Sequence, residues 1–542
     1  MKLLSVTELQ ELLEFSKERA LFDVRETGEA HRGHIFGATF LPRRQIEFRI
    51  AALVPDRNTP ICLVDDGSGT NRHSAQDQRA RRAAVTLERL GYRHVSVLEG
   101  GVQSWVVAGQ PLVAGSNVPS KLFGEEVQHS WRVPRIDVHT LHKWQQDGND
   151  HLVCDIRSPE EYRRSRIPGA TGAFGTDLAL LAHRLRAEGR PIVVHCSGRT
   201  RSIIACQTLR LLGVPEVFAL ENGTMGWRLA GYELEQGEGA GVLRADMPTD
   251  STDDETNVLA LALRSGAQLV GIDQFNEWNR QRLEGSRNLY VADVRQVSEY
   301  VEGHITGSIA VPGGLAIQRA DEFFPVRSAR IVLIDNDHAR SALAAYWFRQ
   351  MGFPNVYLLQ GGLRGWKEAS GALETGRGRE RPLGLADSSR IARSISVQQL
   401  CGDSDRLQVI NVDTSAQATR ARLPRTEWVR YGELEDYVGE LSEGQRERLV
   451  LTCRDGDLST LAAANLARAG WPDVPVLAGG VAAWRSAGQA IEQCASGALA
   501  CADDQVVQPY DAGLQAMQRY LEWEQQLTQQ LGKSGAAGAT AG

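Results

Sequence analysis

"VVHCSGRTRSII", residues 193–204, passes from an apolar run through a short arginine-bearing loop into residues with helical spacing. It reads as a β-strand that ends in a loop and opens a helix, with Cys196 at the junction. Whether Cys196 is a nucleophile or a small apolar residue closing a strand is decided by the surrounding pattern. "VLTCRDGDLSTL" at 450–461 places Cys453 the same way. Two further strand-like runs, "PICLVD" and "RIVLID", put Asp65 and Asp335 where the cysteines stand.

The four runs belong to one repeated unit. Upstream of each lies "LFDVR" (21–25), "VCDIR" (153–157), "VADVR" (291–295) or "VINVD" (409–413). Downstream lies Leu-x-Gly/Asn-Gly-x-x-x-Trp, as "LEGGVQSW" (98–105), "LENGTMGW" (220–227), "LQGGLRGW" (359–366) and "LAGGVAAW" (477–484). From the upstream Asp or Asn to the loop residue is 42, 41, 42 and 42 residues. From there to the Trp is 31 residues in repeats two to four and 40 in repeat one, where "DGSGTNRHSAQDQR" is inserted. Short β-rich runs alternate with helical patterns such as "SIIACQTLRLLG" and "SALAAYWFRQMG". That alternation predicts an α/β fold: four domains, each a central, mostly parallel sheet flanked by helices. Segments near 114–130, 236–256 and 372–392 are rich in Gly, Pro and charge and read as linkers. The expected domains are 1–115, 131–236, 257–372 and 393–490, followed by an amphipathic helix at 508–532 and a flexible tail at 533–542.

Composition narrows the function classes. Apolar residues make up 42% and charged residues 23% of 542, with no apolar run long enough to span a bilayer, so no membrane role is expected. A formal charge of −7 argues against a nucleic-acid binder. No export signal is visible at the start, and eight scattered cysteines do not form a disulfide framework, so a reducing cytoplasm is expected.

A loop between the C-terminal end of a parallel strand and a helix presents unpaired backbone amides to an anion. A cysteine there, beside arginines, is expected to favour the thiolate. The ensemble of DVR strand, six-residue cysteine loop and GG-x-x-x-W close resembles the rhodanese family of sulfurtransferases. The resemblance implies that Cys196 and Cys453 are nucleophiles that accept sulfane sulfur as a persulfide and pass it on. It further implies that Ser197, Gly198, Arg199, Thr200 and Arg201 in the first loop, and Arg454, Asp455, Gly456, Asp457 and Leu458 in the second, hold the donor. The implied partners are small sulfur donors such as thiosulfate and thiol or cyanide acceptors, with thioredoxin or glutathione among the candidates. Neither metal nor organic cofactor is implied.

With Asp65 and Asp335 at the cysteine position, repeats one and three are expected to be silent, giving the order silent, active, silent, active. This resembles a duplicated tandem rhodanese, with repeats one and two as one module and three and four as the other. The first active loop carries a formal +2 and the second −1, so Cys196 is expected to be the better thiosulfate acceptor. Asn411 and Asp413 depart from the Asp and Arg of the other repeats.

Other readings compete. A His-Cys loop also suits phosphatases that place an arginine six positions after the cysteine, but residues 202 and 459 are serine. A non-catalytic persulfide carrier or docking scaffold is the main alternative. Cys62 and Cys154 read as core and Cys206 as packing, while Cys494 and Cys501 have no metal-site spacing. The His and Arg residues of 66–82 read as a solvated loop, or else as a cover for a neighbouring site. Leu514, Met517, Leu521, Leu527 and Leu531 give the C-terminal helix an apolar face, expected to dock on its own chain.

Overall fold

A computed structural model describes residues 1–14, 18–67, 76–239, 241–243, 252–377, 381–403, 405–493 and 503–531, with side chains of the helix Thr252–Arg264 from Asn257 onward. Cys494, Cys501, most of the insert in repeat one and the tail from 532 lie outside the described residues.

Each repeat builds one five-stranded sheet with the same strand order. In repeat two the order from one edge is Arg135–Ile136, Val217–Leu220, Ile192–His195, Leu152–Asp155 and Thr171–Gly172, all parallel. The three central strands are nearly all apolar because helices cover both faces. Register explains the constant spacing: Asp155 pairs with His195, Asp293 with Ile334 and Asn411 with Thr452, so each DVR-type motif ends beside a cysteine-position loop.

The Asp and Arg of the first three motifs form buried bidentate pairs: Arg25 with Asp23, Arg157 with Asp155 and Arg295 with Asp293, each Nη2 to Oδ2 at 2.6–2.7 Å. The same guanidinium donates to a carbonyl eight residues on, at Gly33, Ser165 and Gly303 respectively, tying the strand to the turn after the next helix. In repeat four this clamp is replaced. Asn411 Oδ1 accepts from the Asp413 amide at 2.8 Å, and Asp413 turns its carboxylate to the Arg454 amide at 2.6 Å.

Two expectations are corrected. The presumed linkers contain helices: Val118–Ser130, Thr252–Arg264 and Leu385–Ile391. Their charged residues misled the reading, because the helix Val118–Ser130 keeps Val118, Leu122 and Val127 in the core and directs Glu125 into an ion pair. The repeats also pair differently from their order in the chain. One compact unit comprises residues 1–116 with 379–506, joining repeats one and four; the other comprises 117–378 with 507–542, joining repeats two and three.

In the first unit, Arg82 of repeat one is ion-paired with Asp436 of repeat four, Arg89 bonds Asn465 at 3.1 Å, and Arg43 lies over the Tyr431 ring. In the second, Arg340 pairs with Asp177 at 2.6 Å and Trp347 Nε1 donates to Thr208 at 2.9 Å. Backbones meet closely there: a Cβ on Gly314 would lie 2.9 Å from the Gly175 Cα. Each cysteine-bearing repeat is thus still matched with an aspartate-bearing one.

The C-terminal helix, Leu514–Leu531, packs Met517 and Leu521 against Met225 within the second unit, while Leu514 is exposed. Among the described residues no helix is long and apolar enough to cross a membrane.

Candidate active site

The repeat signature is the device that closes the loop. Its first Gly or Asn is left-handed in all four copies: Gly100 at φ 71°, Asn222 at 61°, Gly361 at 73° and Gly479 at 70°. Its second position must be glycine for a contact reason. A Cβ at Gly101, Gly223, Gly362 or Gly480 would stand 2.5, 2.2, 2.7 or 2.1 Å from the carbonyl oxygen of Asp65, Cys196, Asp335 or Cys453. The next amide donates to that same carbonyl, as Thr224 does to Cys196 at 3.0 Å and Val481 to Cys453 at 2.9 Å. The four tryptophans seal the motif by donating to a carbonyl six residues on, at 2.8–3.0 Å.

The Cys453 sulfur sits inside a ring of donors. The amides of Gly456 and Ser459 approach Sγ at 3.2 and 3.4 Å, and the Ser459 hydroxyl lies 3.5 Å away. Gly456 at φ 91° turns its amide inward where the helix Asp457–Arg468 starts. Cys453 is 1% exposed. Burial is the largest influence on its thiol and pushes the pKa up; the Ser459 bonds pull it down and the Asp413 charge pushes it up again. The expected preference for thiolate is therefore opposed by burial. Arg454, 65% exposed at its side chain, pairs with Asp455 at 3.1 Å and stands at the mouth.

Repeat three shows what the ring is made to hold. Asp335 puts its carboxylate there: Oδ1 accepts from the His338 amide at 2.9 Å and the Ser341 hydroxyl at 2.7 Å, and Oδ2 from the Arg340 and Ser341 amides at 2.8 and 3.2 Å. His338 and Ser341 stand three and six positions after Asp335, as Gly456 and Ser459 stand after Cys453. His338 is also left-handed, at φ 81°. In repeat one, Asp65 accepts from the amides of Gly67 and Ala80, and burial with the neighbouring Asp77 raises its pKa to about 7.

The Cys196 loop differs in two respects. Arg199, three positions after the cysteine, has φ −123°, and among the described residues the only hydrogen bond of the sulfur is to Ser202 Oγ at 3.6 Å. Its charge is also cancelled. Arg199 forms a bidentate pair with Glu125 at 2.6 and 2.8 Å, and Arg201 another with Glu161 at 2.8 Å. Arg201 holds Glu161 down at about 2 despite burial. The +2 counted from the loop alone thus disappears, and with it the argument for Cys196 as the better thiosulfate acceptor.

Residues 196–200 are all buried, with Gly124 so close to Thr200 that a Cβ on it would lie 2.8 Å from Thr200 Cγ2. Beyond Arg201, a cavity of about 1900 Å³ opens between repeats two and three of this unit, walled by Arg157, Glu161 and Arg201 on one side and Glu299, Asp335 and Arg340 on the other.

Ser197 donates to Glu161 at 3.2 Å and Thr200 to Glu524 at 2.7 Å. In the second loop Asp457 and Leu458 begin the helix, with Leu458 in the core. The remaining cysteines separate by burial: Cys62, Cys154 and Cys206 are pushed up to about 12. Cys206 also donates to the Val217 carbonyl at 3.4 Å. The described end of the insert is not solvated, since Asp77 and Arg79 are buried with Glu29 in an ion-paired cluster. Among the described residues no group of three or more His, Cys, Asp or Glu could hold a metal ion.

Sequence reasoning missed Glu125, Glu161 and Glu524, which lie outside the loops they neutralise or cover. It noticed Ser202 and Ser459 only as the absence of arginine, although each serine hydroxyl meets its sulfur.

Comparison with known proteins bears on the fold of all four repeats. The rhodanese-like domain model matches residues 5–108, 137–230, 275–369 and 389–487. The crystal structure of a thiosulfate sulfurtransferase from Pseudomonas aeruginosa superimposes with a TM-score of 0.86 at 32% identity, covering 100% of both chains. A sulfurtransferase of Allochromatium vinosum is 30% identical over 109 residues, 20% of this chain and 99% of its own length. The sulfur carrier protein TtuD of Thermus thermophilus is 29% identical over 189 residues, 27% of this chain and 64% of its own length.

Proposed function

We propose that this chain, which belongs to the family of rhodanese-like domains, moves sulfane sulfur through persulfides on Cys453 and Cys196. The family is one of sulfurtransferases and sulfur carriers. The observation that carries the reading is the donor ring around Cys453, whose counterpart in repeat three closes on a carboxylate. A ring that satisfies an anion in one copy can satisfy the terminal sulfur of a persulfide in another.

In the proposed reaction the Cys453 thiolate attacks the outer sulfur of a donor such as thiosulfate. The new S–S bond forms as the donor's S–S bond breaks, and sulfite leaves with the electron pair. A thiol or cyanide then attacks the outer sulfur, and Cys453 departs as thiolate. Gly456 and Ser459 stabilise the charge at each stage, and the exposed Arg454 meets the donor. Thiosulfate is chosen because the Pseudomonas protein bears that name; glutathione or thioredoxin would serve as thiol acceptors.

Intact-mass measurement after thiosulfate treatment tests the reading on wild type, Cys196→Ser, Cys453→Ser and the double variant. One added sulfur per active cysteine is expected, removed by cyanide. An unchanged mass in all four, or equal gain in the double variant, refutes it. A carrier role is favoured for Cys196 by the burial of residues 196–200, where the second loop leaves Arg454 exposed and Asp455 half-buried. Stoichiometric loading there without turnover on cyanide would distinguish carrier from enzyme.

A further inference from the structure

The helix Leu514–Leu531 lays a carboxylate over the Cys196 loop that the loop does not satisfy. Glu524 is 1% exposed on the inward face, beside Leu521 and Leu527. Its Oε1 accepts from the Thr200 hydroxyl at 2.7 Å, but its Oε2 is buried without a hydrogen-bond partner among the described residues. That oxygen is directed at the loop, since a Cβ built on Gly198 would stand 3.3 Å from it. The nearby cation, Lys121, lies 5.0 Å over the rings of both Tyr520 and Trp523 and attracts the Glu524 carboxylate through space, but among the described residues no hydrogen bond from it reaches Oε2.

A buried carboxylate oxygen with no donor is unfavourable until something supplies one. The loop cannot, because Arg199 and Arg201 are held by Glu125 and Glu161. The same pairing leaves no free cation in the loop for a sulfonate or carboxylate on the incoming molecule. Oε2 therefore lacks a hydrogen-bond donor, and an ammonium group can supply one alongside the attraction of Lys121.

We propose that Glu524 is a specificity-determining residue that directs a small aminothiol, or its persulfide, to Cys196 by accepting a hydrogen bond from the ammonium group on Oε2. This rests on the persulfide reading above. The aminothiol's thiolate attacks the outer sulfur of the Cys196 persulfide. A new S–S bond forms, the enzyme's S–S bond breaks, and Cys196 leaves as thiolate; the reverse reaction loads Cys196.

The test uses the full-length chain with Cys453→Ser, loaded with sodium tetrasulfide. Discharge of Cys196 is followed by mass with cysteamine, 2-mercaptoethanol and thioglycolate, each rate divided by that thiol's rate with a small persulfide in free solution. Cysteamine should lead thioglycolate by at least about tenfold, and Glu524→Gln should close the gap to within about twofold. The amide of that variant still accepts from Thr200, and an unchanged 2-mercaptoethanol rate shows that the site is intact. A gap that survives Glu524→Gln, or thioglycolate in the lead, overturns the proposal.

Alkylation of unloaded Cys196 by 2-bromoethylamine, iodoacetamide and iodoacetate reads the same selection without sulfur. If that order follows Glu524 while no persulfide ever forms, selection by Glu524 stands and the persulfide reading falls.

Discussion

Removing the Ser459 hydroxyl should make Cys453 a weaker acid by about one pH unit. The hydroxyl lies 3.5 Å from Sγ and donates to the Gly456 carbonyl at 3.1 Å, so in the thiol form S–H can donate to Oγ while Oγ–H keeps its bond to the carbonyl. In the thiolate form the hydroxyl turns its proton to sulfur, and the Gly456 carbonyl keeps its bonds from the Thr460 hydroxyl at 2.7 Å and the Thr460 amide at 3.0 Å, so little is lost there. A hydrogen bond to a charged group contributes roughly 1.5–3 kcal/mol and one between neutral groups roughly 0.5–1.5 kcal/mol. The alanine variant loses the difference, roughly 1–1.5 kcal/mol, and about 1.36 kcal/mol corresponds to one pKa unit. The sign is upward, because the bond lost favours the charged form and burial already pushes this thiol up. The assay is iodoacetamide alkylation of Cys453 against pH in the Cys196→Ser background, read by mass on the Cys453 peptide. Below the midpoint, Ser459→Ala should react about tenfold more slowly at a given pH, and Ser459→Thr should restore the rate. A midpoint that stays in place or moves down would refute the donor ring as a thiolate-stabilising device.

Three further outcomes are expected. Gly480→Ala should lower persulfide loading of Cys453 by at least about tenfold, because its Cβ would meet the Cys453 carbonyl at 2.1 Å; loading measured by mass checks it, and undiminished loading would refute the contact. Asp335→Cys should gain one sulfur at residue 335 from a polysulfide donor, since the amides of His338, Arg340 and Ser341 already converge there; an unmodified residue 335 would show that the ring alone is insufficient. In thiosulfate:cyanide turnover, Cys453→Ser should lose about tenfold more activity than Cys196→Ser, because Arg199 and Arg201 are paired and Arg454 is exposed; equal losses would mean that the arginines unpair when the donor binds.

What could be read from the sequence was whatever acts within one repeat. The parallel sheet follows from apolar strands alternating with helical patterns, and the loop cysteines follow from their place after such a strand. Asn222 in a glycine position already indicates a left-handed turn, because asparagine tolerates that conformation better than most residues. Charge was misread because it was counted along the chain. The carboxylates that neutralise Arg199 and Arg201 come from a presumed linker and from the helix after the DVR motif, and ion pairing depends on separation in space. Pairing of repeats escaped for a similar reason: chain order constrains neighbours only when the connections are short, and here they contain helices.

The four copies also separate two requirements that a single domain would merge. The contact of the second signature glycine with the loop carbonyl occurs whether the loop carries Cys or Asp, so closing the loop is a demand of the fold and not of the chemistry. The inward amides are the converse case. They converge on sulfur in repeat four and on a carboxylate in repeat three, while in repeat two, where Arg199 is not left-handed, no amide of the described residues reaches the sulfur. In repeats three and four anion binding therefore goes with a left-handed backbone three positions after the Asp or Cys. A left-handed residue there completes the ring, and Arg199 leaves it open. If so, Arg199→Gly should let the ring close on Cys196 and raise its loading by an anionic donor, even though it removes a positive charge. Loading that falls instead would mean that charge, not backbone shape, governs the first loop.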